Sequence, residues 1–172
     1  MLAADDFEDG NANGWDTVGT WSVVTDGSDV FRNTNLTGLS TAMIDDGPWT
    51  DQVLEVDAKA LNLTSGSTRW FGVAVRYTDP DNYYYVTIRN NNQAVLKKMV
   101  NGVFSDLDSI AFTPSTNTWY SLKLSAIGNS LKFSIDGDLK LEATDSDLTS
   151  GTVGGIMYQA SAQFDDVLVT DP

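Results

Sequence analysis

Trp70, Arg76, Tyr83, Tyr85 and Arg89 lie within a single stretch, residues 69–89, RWFGVAVRYTDPDNYYYVTIR. These side-chain types bind without reacting. Aromatic faces stack on CH-rich surfaces, and guanidinium forks pair with carboxylates or hydroxyls. Their spacing decides whether they act together. The stretch reads as two strands joined at Asp79-Pro80-Asp81-Asn82, where Pro fixes φ and Asp and Asn bond back to the backbone. Strict alternation puts Arg69, Phe71, Val73, Val75 and Tyr77 toward a core and Trp70, Gly72, Ala74 and Arg76 toward an open face. In the second strand Tyr84, Val86 and Ile88 oppose Tyr83, Tyr85, Thr87 and Arg89. The expected open face carries Trp70, Arg76, Tyr83, Tyr85 and Arg89, with Lys97 from the next strand beside them, on a floor kept flat by Gly72 and Ala74. Such a face could bind a sugar. The same tyrosines are also ordinary strand formers with wet hydroxyls, and alternation alone does not separate the two readings.

The charge pattern narrows the partners. Twenty-four acids oppose 10 bases, for a net charge of −14, which argues against nucleic acid. Among the acids only Glu8, Glu55 and Glu142 are Glu; the rest are Asp, mostly beside Gly, Asn, Ser or Thr. Asp in that company belongs to turns and oxygen-ligand metal sites. Five of the bases, Arg69, Arg76, Arg89, Lys97 and Lys98, fall in thirty residues. They either scatter on a solvated surface or set up a local field that favours an anionic ligand. Cysteine and histidine are absent, which removes disulfides, thiolate chemistry, Ser-His-Asp catalysis and His-ligated zinc. No run approaches the roughly 20 apolar residues of a membrane-spanning helix.

The elements that must position these residues are short strands. Asp26-Gly27, Asn101-Gly102 and Asp136-Gly137 are hairpin turn signals. Residues 52–61 alternate, with Val53, Glu55, Asp57 and Lys59 opposite Leu54, Val56 and Ala58. Residues 4–9 read as a strand with Phe7 buried, and 64–68 as a loop. In 94–100 the parity that buries Leu96 and Val100 also turns Lys98 inward, which leaves that strand's facing ambiguous. No segment carries a capped helical period. Strands recur about every ten residues with turns between them, which predicts an all-β sandwich or barrel in one domain.

Taken in order, DDFEDG, GTWSV, FGVAVRYTDPDNYYYVTIR, LKKMVNG, WYSLKL, LKFSIDG and FDDVLV resemble the concanavalin A-like (laminin G-like) jelly roll. In particular they are similar to the non-catalytic modules appended to bacterial pectate lyases and other secreted polysaccharide-degrading enzymes. The resemblance covers nearly the whole chain. It implies an antiparallel β-sandwich of two curved sheets, a single domain over 1–172 excised from a larger secreted or cell-surface bacterial enzyme, a monomer, and a polysaccharide ligand. The basic hairpin points to an acidic glycan such as pectin, with neutral polymers and fructans left open. The resemblance also implies one structural calcium where the first and last strands meet. The matching residues are Asp6, Glu8, the turn ending at Gly47, and Asp165 in preference to Asp166. Two other functions stay in view. Jelly-roll glucanases use a Glu-x-Asp-x-x-Glu strand, but here Glu55-Val-Asp57-Ala-Lys-Ala60 lacks the last carboxylate, which breaks the hydrolase signature. A polysaccharide lyase has no base that stands out, and a laminin G-like adhesive domain that binds protein is the other option.

Overall fold

Turn chemistry pairs strands that are neighbours in the chain. Asn101 and Gly102, with φ of 50° and 75°, and Asp136 and Gly137, with φ of 52° and 84°, take the left-handed pairs that a two-residue hairpin turn requires. The computed structural model describes residues 1–64 and 67–172, so Ser65 and Gly66 of the expected loop lie outside the described residues.

The strands are β1 (Ala3–Asp5), β2 (Trp15–Val18), β3 (Trp21–Asp26), β4 (Ser28–Asn33), β5 (Leu39–Ile44), β6 (Gln52–Asn62), β7 (Trp70–Asp79) and β8 (Asn82–Arg89), followed by β9 (Gln93–Val100), β10 (Val103–Ala111), β11 (Trp119–Ile127), β12 (Ser130–Ile135), β13 (Asp138–Thr144), β14 (Thr152–Tyr158) and β15 (Ser161–Thr170). They form two antiparallel sheets. One runs β13-β12-β11-β6-β15-β4-β3, with β1 also on β15; the other runs β10-β9-β8-β7-β14-β5-β2. The expected all-β sandwich is the observed fold, with no helix among the described residues.

The core lies between the sheets. Leu54, Val56 and Ala58 of β6 and Leu122 and Leu124 of β11 face Phe71, Val73, Tyr84, Val86 and Ile88 of the opposite sheet. Each large apolar side chain removed from water contributes roughly 1.5–3 kcal/mol. Phe7 is fully buried as expected, but not in a strand. β1 stops at Asp5, whose carboxylate accepts from the Phe7 amide at 2.9 Å.

Lys98 does point inward, yet at the sheet edge. There it pairs with Asp145 and Asp147, while the Tyr84 hydroxyl donates to Asp145 and accepts from the Leu148 amide. The hydrogen bonds that Lys98 donates to these two carboxylates raise its pKa, so its charge is kept. The same segment is tied in from the other side, because the Glu142 amide of β13 donates to Asp108 of β10 at 2.9 Å across the gap between the sheet edges.

Two glycines set how closely strands can approach. A Cβ on Gly72 would lie 1.9 Å from the Val86 carbonyl oxygen, and one on Gly154 would lie 1.9 Å from that of Ala42. Backbone cannot yield by that much without breaking the ladder. Gly154→Ala and Gly72→Ala are each expected to lower the urea midpoint by far more than a surface substitution in the same sheet, Thr17→Ala being the control.

Candidate functional site

The β10-β9-β8-β7-β14-β5-β2 sheet turns its outer face to solvent, and its registers lay the side chains in rows. Tyr158, Trp70, Arg89 and Gln93 form one row across β14, β7, β8 and β9. Gly154, Ala74, Tyr85, Lys97 and Asp106 form a second, and Tyr83, Met99 and Phe104 a third. All of these except Gln93, Gly154 and Ala74 line an open groove of about 500 Å³, together with Leu39, Thr68 and Thr87. Five of the six expected ligand-binding residues, Trp70, Tyr83, Tyr85, Arg89 and Lys97, therefore meet in one place.

Arg76 does not join them, which corrects the alternation reading. It has φ of 49° and sits where the β7–β8 register slips between Val75 and Asp79. A bulge of this kind reverses which face later residues occupy. The Arg76 guanidinium is buried instead, donating to the carbonyls of Thr50, Leu148 and Gly128 at 3.0, 2.9 and 2.8 Å. Tyr77, expected in the core, comes out beside Tyr83 and stacks on it with ring centroids 5.2 Å apart.

Tyr83 and Tyr85 form the floor rather than the walls, being only 2% and 4% exposed. Side chains of the same outer face, Leu39, Trp70, Tyr77 and Met99, pack against their cluster. They pack edge to face, 5.0 Å between centroids, over the small Ala74, with Trp70 against Tyr85 at 5.8 Å. Their hydroxyls have no protein partner among the described residues, yet neither is a sealed, orphaned atom, so both reach the groove. Burial, the neighbouring Tyr77 and Asp81 push the Tyr83 phenol up to about 12, and burial raises Tyr85 as well. Both therefore stay protonated and can donate as well as accept. The other rings lining the groove are Trp70 and Tyr158, which stack on each other with centroids 6.2 Å apart, and Phe104, which is 63% exposed. Alternation could not assign Phe104 and Tyr158, because they come from strands whose place in the sheet depends on the whole topology.

Most of the expected positive charge is spent inside the protein. Arg69 donates to the Gln159 carbonyl, Lys97 pairs with Asp106 beneath the Phe104 ring, and Lys98 pairs as described above. Arg89 bonds the Thr87 hydroxyl at 2.8 Å and has no carboxylate partner among the described residues. The groove's one carboxylate among those residues is Asp106. Glu55 and Asp57 lie on the solvent side of β6, in the other sheet, where Glu55 pairs with Lys123 at 2.9 Å.

The expected calcium ligands do not form one set. Gly47 lines a separate hollow with Asp46, Pro48 and Tyr77. Asp165 is turned inward, accepting from the Ser28 hydroxyl at 2.7 Å and from the Asp166 amide at 2.8 Å. Asp166, with φ of 50° at a second register slip, is the one that faces out, toward Asp6 and Asp9. The bulge thus engages the expected ligand Asp165 within the protein and leaves Asp166 facing out. Glu8 accepts from the Asp29 amide at 2.9 Å. No three acids among the described residues are grouped to hold a metal ion. The four expected ligands do not fit a calcium cage, and no function is derived through one. What the cluster does show is repulsion. Burial, followed by the charges of Asp165, Asp57, Asp6 and Glu8, raises the Asp166 carboxyl above its ordinary value.

No family model and no curated protein sequence matches the chain. Solved structures do. The carbohydrate-binding module CBM66 from Bacillus subtilis superposes with a TM-score of 0.80 at 24% identity, over 94% of this chain and 98% of that one. A Bacillus subtilis protein of unknown function with a galectin-like fold gives 0.71 at 16% identity, over 99% and 95%. A Bacillus licheniformis beta-glucanase gives 0.68 at 16% identity, over 98% of both chains. These likenesses establish the concanavalin A-like sandwich fold, which a carbohydrate-binding module, a protein of unknown function and an enzyme share.

Two outcomes follow from the bulges. Arg76→Met strands three buried carbonyls and should cost about 3 kcal/mol or more in urea denaturation. Asp166 has a raised folded pKa, so its ionised form is a penalty at neutral pH that disappears as pH falls through that pKa. Asp166→Asn should therefore melt higher than the wild type at pH 7, with the gap closing toward pH 4. Melting both proteins in calcium and in chelator tests whether a cation takes up the same charge.

Proposed function

We propose that this chain is a non-catalytic carbohydrate-binding module that uses the groove on the β10–β2 sheet to hold a polysaccharide. It keeps an attached polysaccharide-degrading enzyme, in an exported protein, near its substrate. The observation that carries this reading is the pairing of exposed rings with unpartnered hydroxyls. Trp70, Tyr158 and Phe104 offer apolar faces, while Tyr83, Tyr85 and Arg89 offer hydrogen bonds left unused by the protein. A pyranose or furanose unit is amphipathic in the same way, with CH-rich faces and a hydroxyl rim. Tethering raises the effective concentration of enzyme at a polymer even when each site is weak.

The electrostatics refine the ligand. Of the five clustered bases only Arg89 lacks a carbonyl or carboxylate partner among the described residues, and Asp106 adds a negative charge to the groove. A neutral or sparsely charged glycan suits this balance better than pectin, whose carboxylates would recur at each unit. The hydrolase alternative rests on the likeness to the beta-glucanase. It is disfavoured here, because hydrolysis needs two flanking carboxylates and Asp106 is the one carboxylate in this groove among the described residues.

Isothermal titration and glycan-array binding test the reading. Trp70→Ala and Phe104→Ala should each weaken glycan binding by about thirtyfold, the effect of truncating an aromatic anchor worth ~2 kcal/mol. Thr17→Ala, at the far edge of the sheet, should bind as the wild type does. Unchanged binding in both aromatic variants would remove the groove from consideration, and release of sugar by the purified wild type would restore the enzyme reading.

A further inference from the structure

The Lys97–Asp106 pair is placed where an ordinary structural ion pair has no need to be. Lys97 is 5% exposed and stands directly across from Tyr85 on one side and Asp106 on the other. Its ammonium lies 4.5 Å from the centre of the Phe104 ring, which shields it from water. A cation so placed needs a charged partner, and Asp106 supplies one through Oδ1. The second oxygen, Oδ2, accepts from no described residue, and the Asp106 side chain is 58% exposed and opens into the groove. The register slips immediately after Asp106 and pairing resumes at Asp108, so the carboxylate sits at the last paired position before a bulge in the edge strand. The groove thus has two unlike ends. One has the unpaired guanidinium of Arg89 beside Trp70; the other has a free carboxylate oxygen beside Phe104.

We infer that Asp106 is a specificity-determining residue of the groove, accepting hydrogen bonds from sugar hydroxyls through Oδ2 and turning away sugars that bring a carboxylate to the Phe104 end. This rests on the carbohydrate-binding reading above and goes further, since it assigns the ligand's charge. Hydroxyls donate to a carboxylate in a charge-assisted bond, whereas a uronate carboxylate meets it with like charge. The unpartnered Tyr83 and Tyr85 hydroxyls, lying between the two ends, can donate or accept and so do not discriminate.

A glycan array carrying neutral and uronate oligosaccharides, probed with wild type, Asp106→Asn and the double variant K97M/D106L, tests this. The double variant replaces the pair by apolar side chains and leaves no buried charge, which guards against simple unfolding of the single variant. Melting curves confirm that each protein is folded. The wild type should bind neutral glycans in preference to uronates. Both variants should lose about tenfold in affinity for the best neutral glycan, one charge-assisted bond's worth, and narrow or reverse the preference against uronates. A purely structural pair would change melting and leave the ranking of glycans as it was, and that result overturns the inference. So does a wild type that prefers uronates. A wild type that binds no glycan at all overturns the carbohydrate-binding reading with it, whereas binding with an unaltered ranking in the variants leaves that reading intact.

Discussion

A β-strand has two faces, and β7 and β8 use both for packing. Phe71, Val73, Tyr84, Val86 and Ile88 fill the space between the sheets, while Ala74, Tyr83 and Tyr85 pack sideways on the outer surface. This second apolar layer is the constraint on which the groove depends. Rings on an open sheet would ordinarily sample many rotamers. Here Tyr83 and Tyr85 are locked edge to face over a methyl-sized side chain and so become a rigid floor. Rigidity of this kind lowers the entropy lost when a ligand is held.

The close approach of backbones beneath that floor has the same origin. Gly72 and Gly154 let β7 and β14 sit against their neighbours where any side chain would strike a carbonyl oxygen. The small residues between large ones therefore serve the ladder first. The flatness of the surface follows from that.

Charge is handled with equal economy. An acidic protein with a net charge of −14 holds its few bases by internal pairing, in Lys59 with Asp26, Lys98 with Asp145 and Asp147, and Lys97 with Asp106. Arg76 is used as a clasp on three loop carbonyls. What remains for a ligand is local and uneven, a guanidinium at one end of the groove and a half-used carboxylate at the other. A tally of bases in the hairpin suggests a basic patch. In the groove that patch largely disappears, because a charge counts toward binding only when no protein partner has claimed it.

Much of this was legible in the amino-acid order alone. Turn pairs such as Asn101-Gly102 and Asp136-Gly137, and the alternation in β6, β8 and β12, require left-handed turns and two-faced strands whatever surrounds them, so the all-β sandwich and the shared face of Trp70, Tyr83, Tyr85, Arg89 and Lys97 could be derived locally. Alternation failed at Arg76, and the inward turn of Asp165 and outward turn of Asp166 were not read from the sequence, for one reason. Each lies at a bulge where a non-glycine residue takes a positive φ, and one extra residue swaps inside for outside. No sequence signal marks either bulge; it exists because the strand must stay paired with neighbours from distant parts of the chain. The same holds for Phe104, Tyr158 and Asp106, which reach the groove only because β10 and β14 are assembled into the same sheet as the central hairpin. Local order settled which residues could face a ligand, and long-range strand pairing decided which of them do.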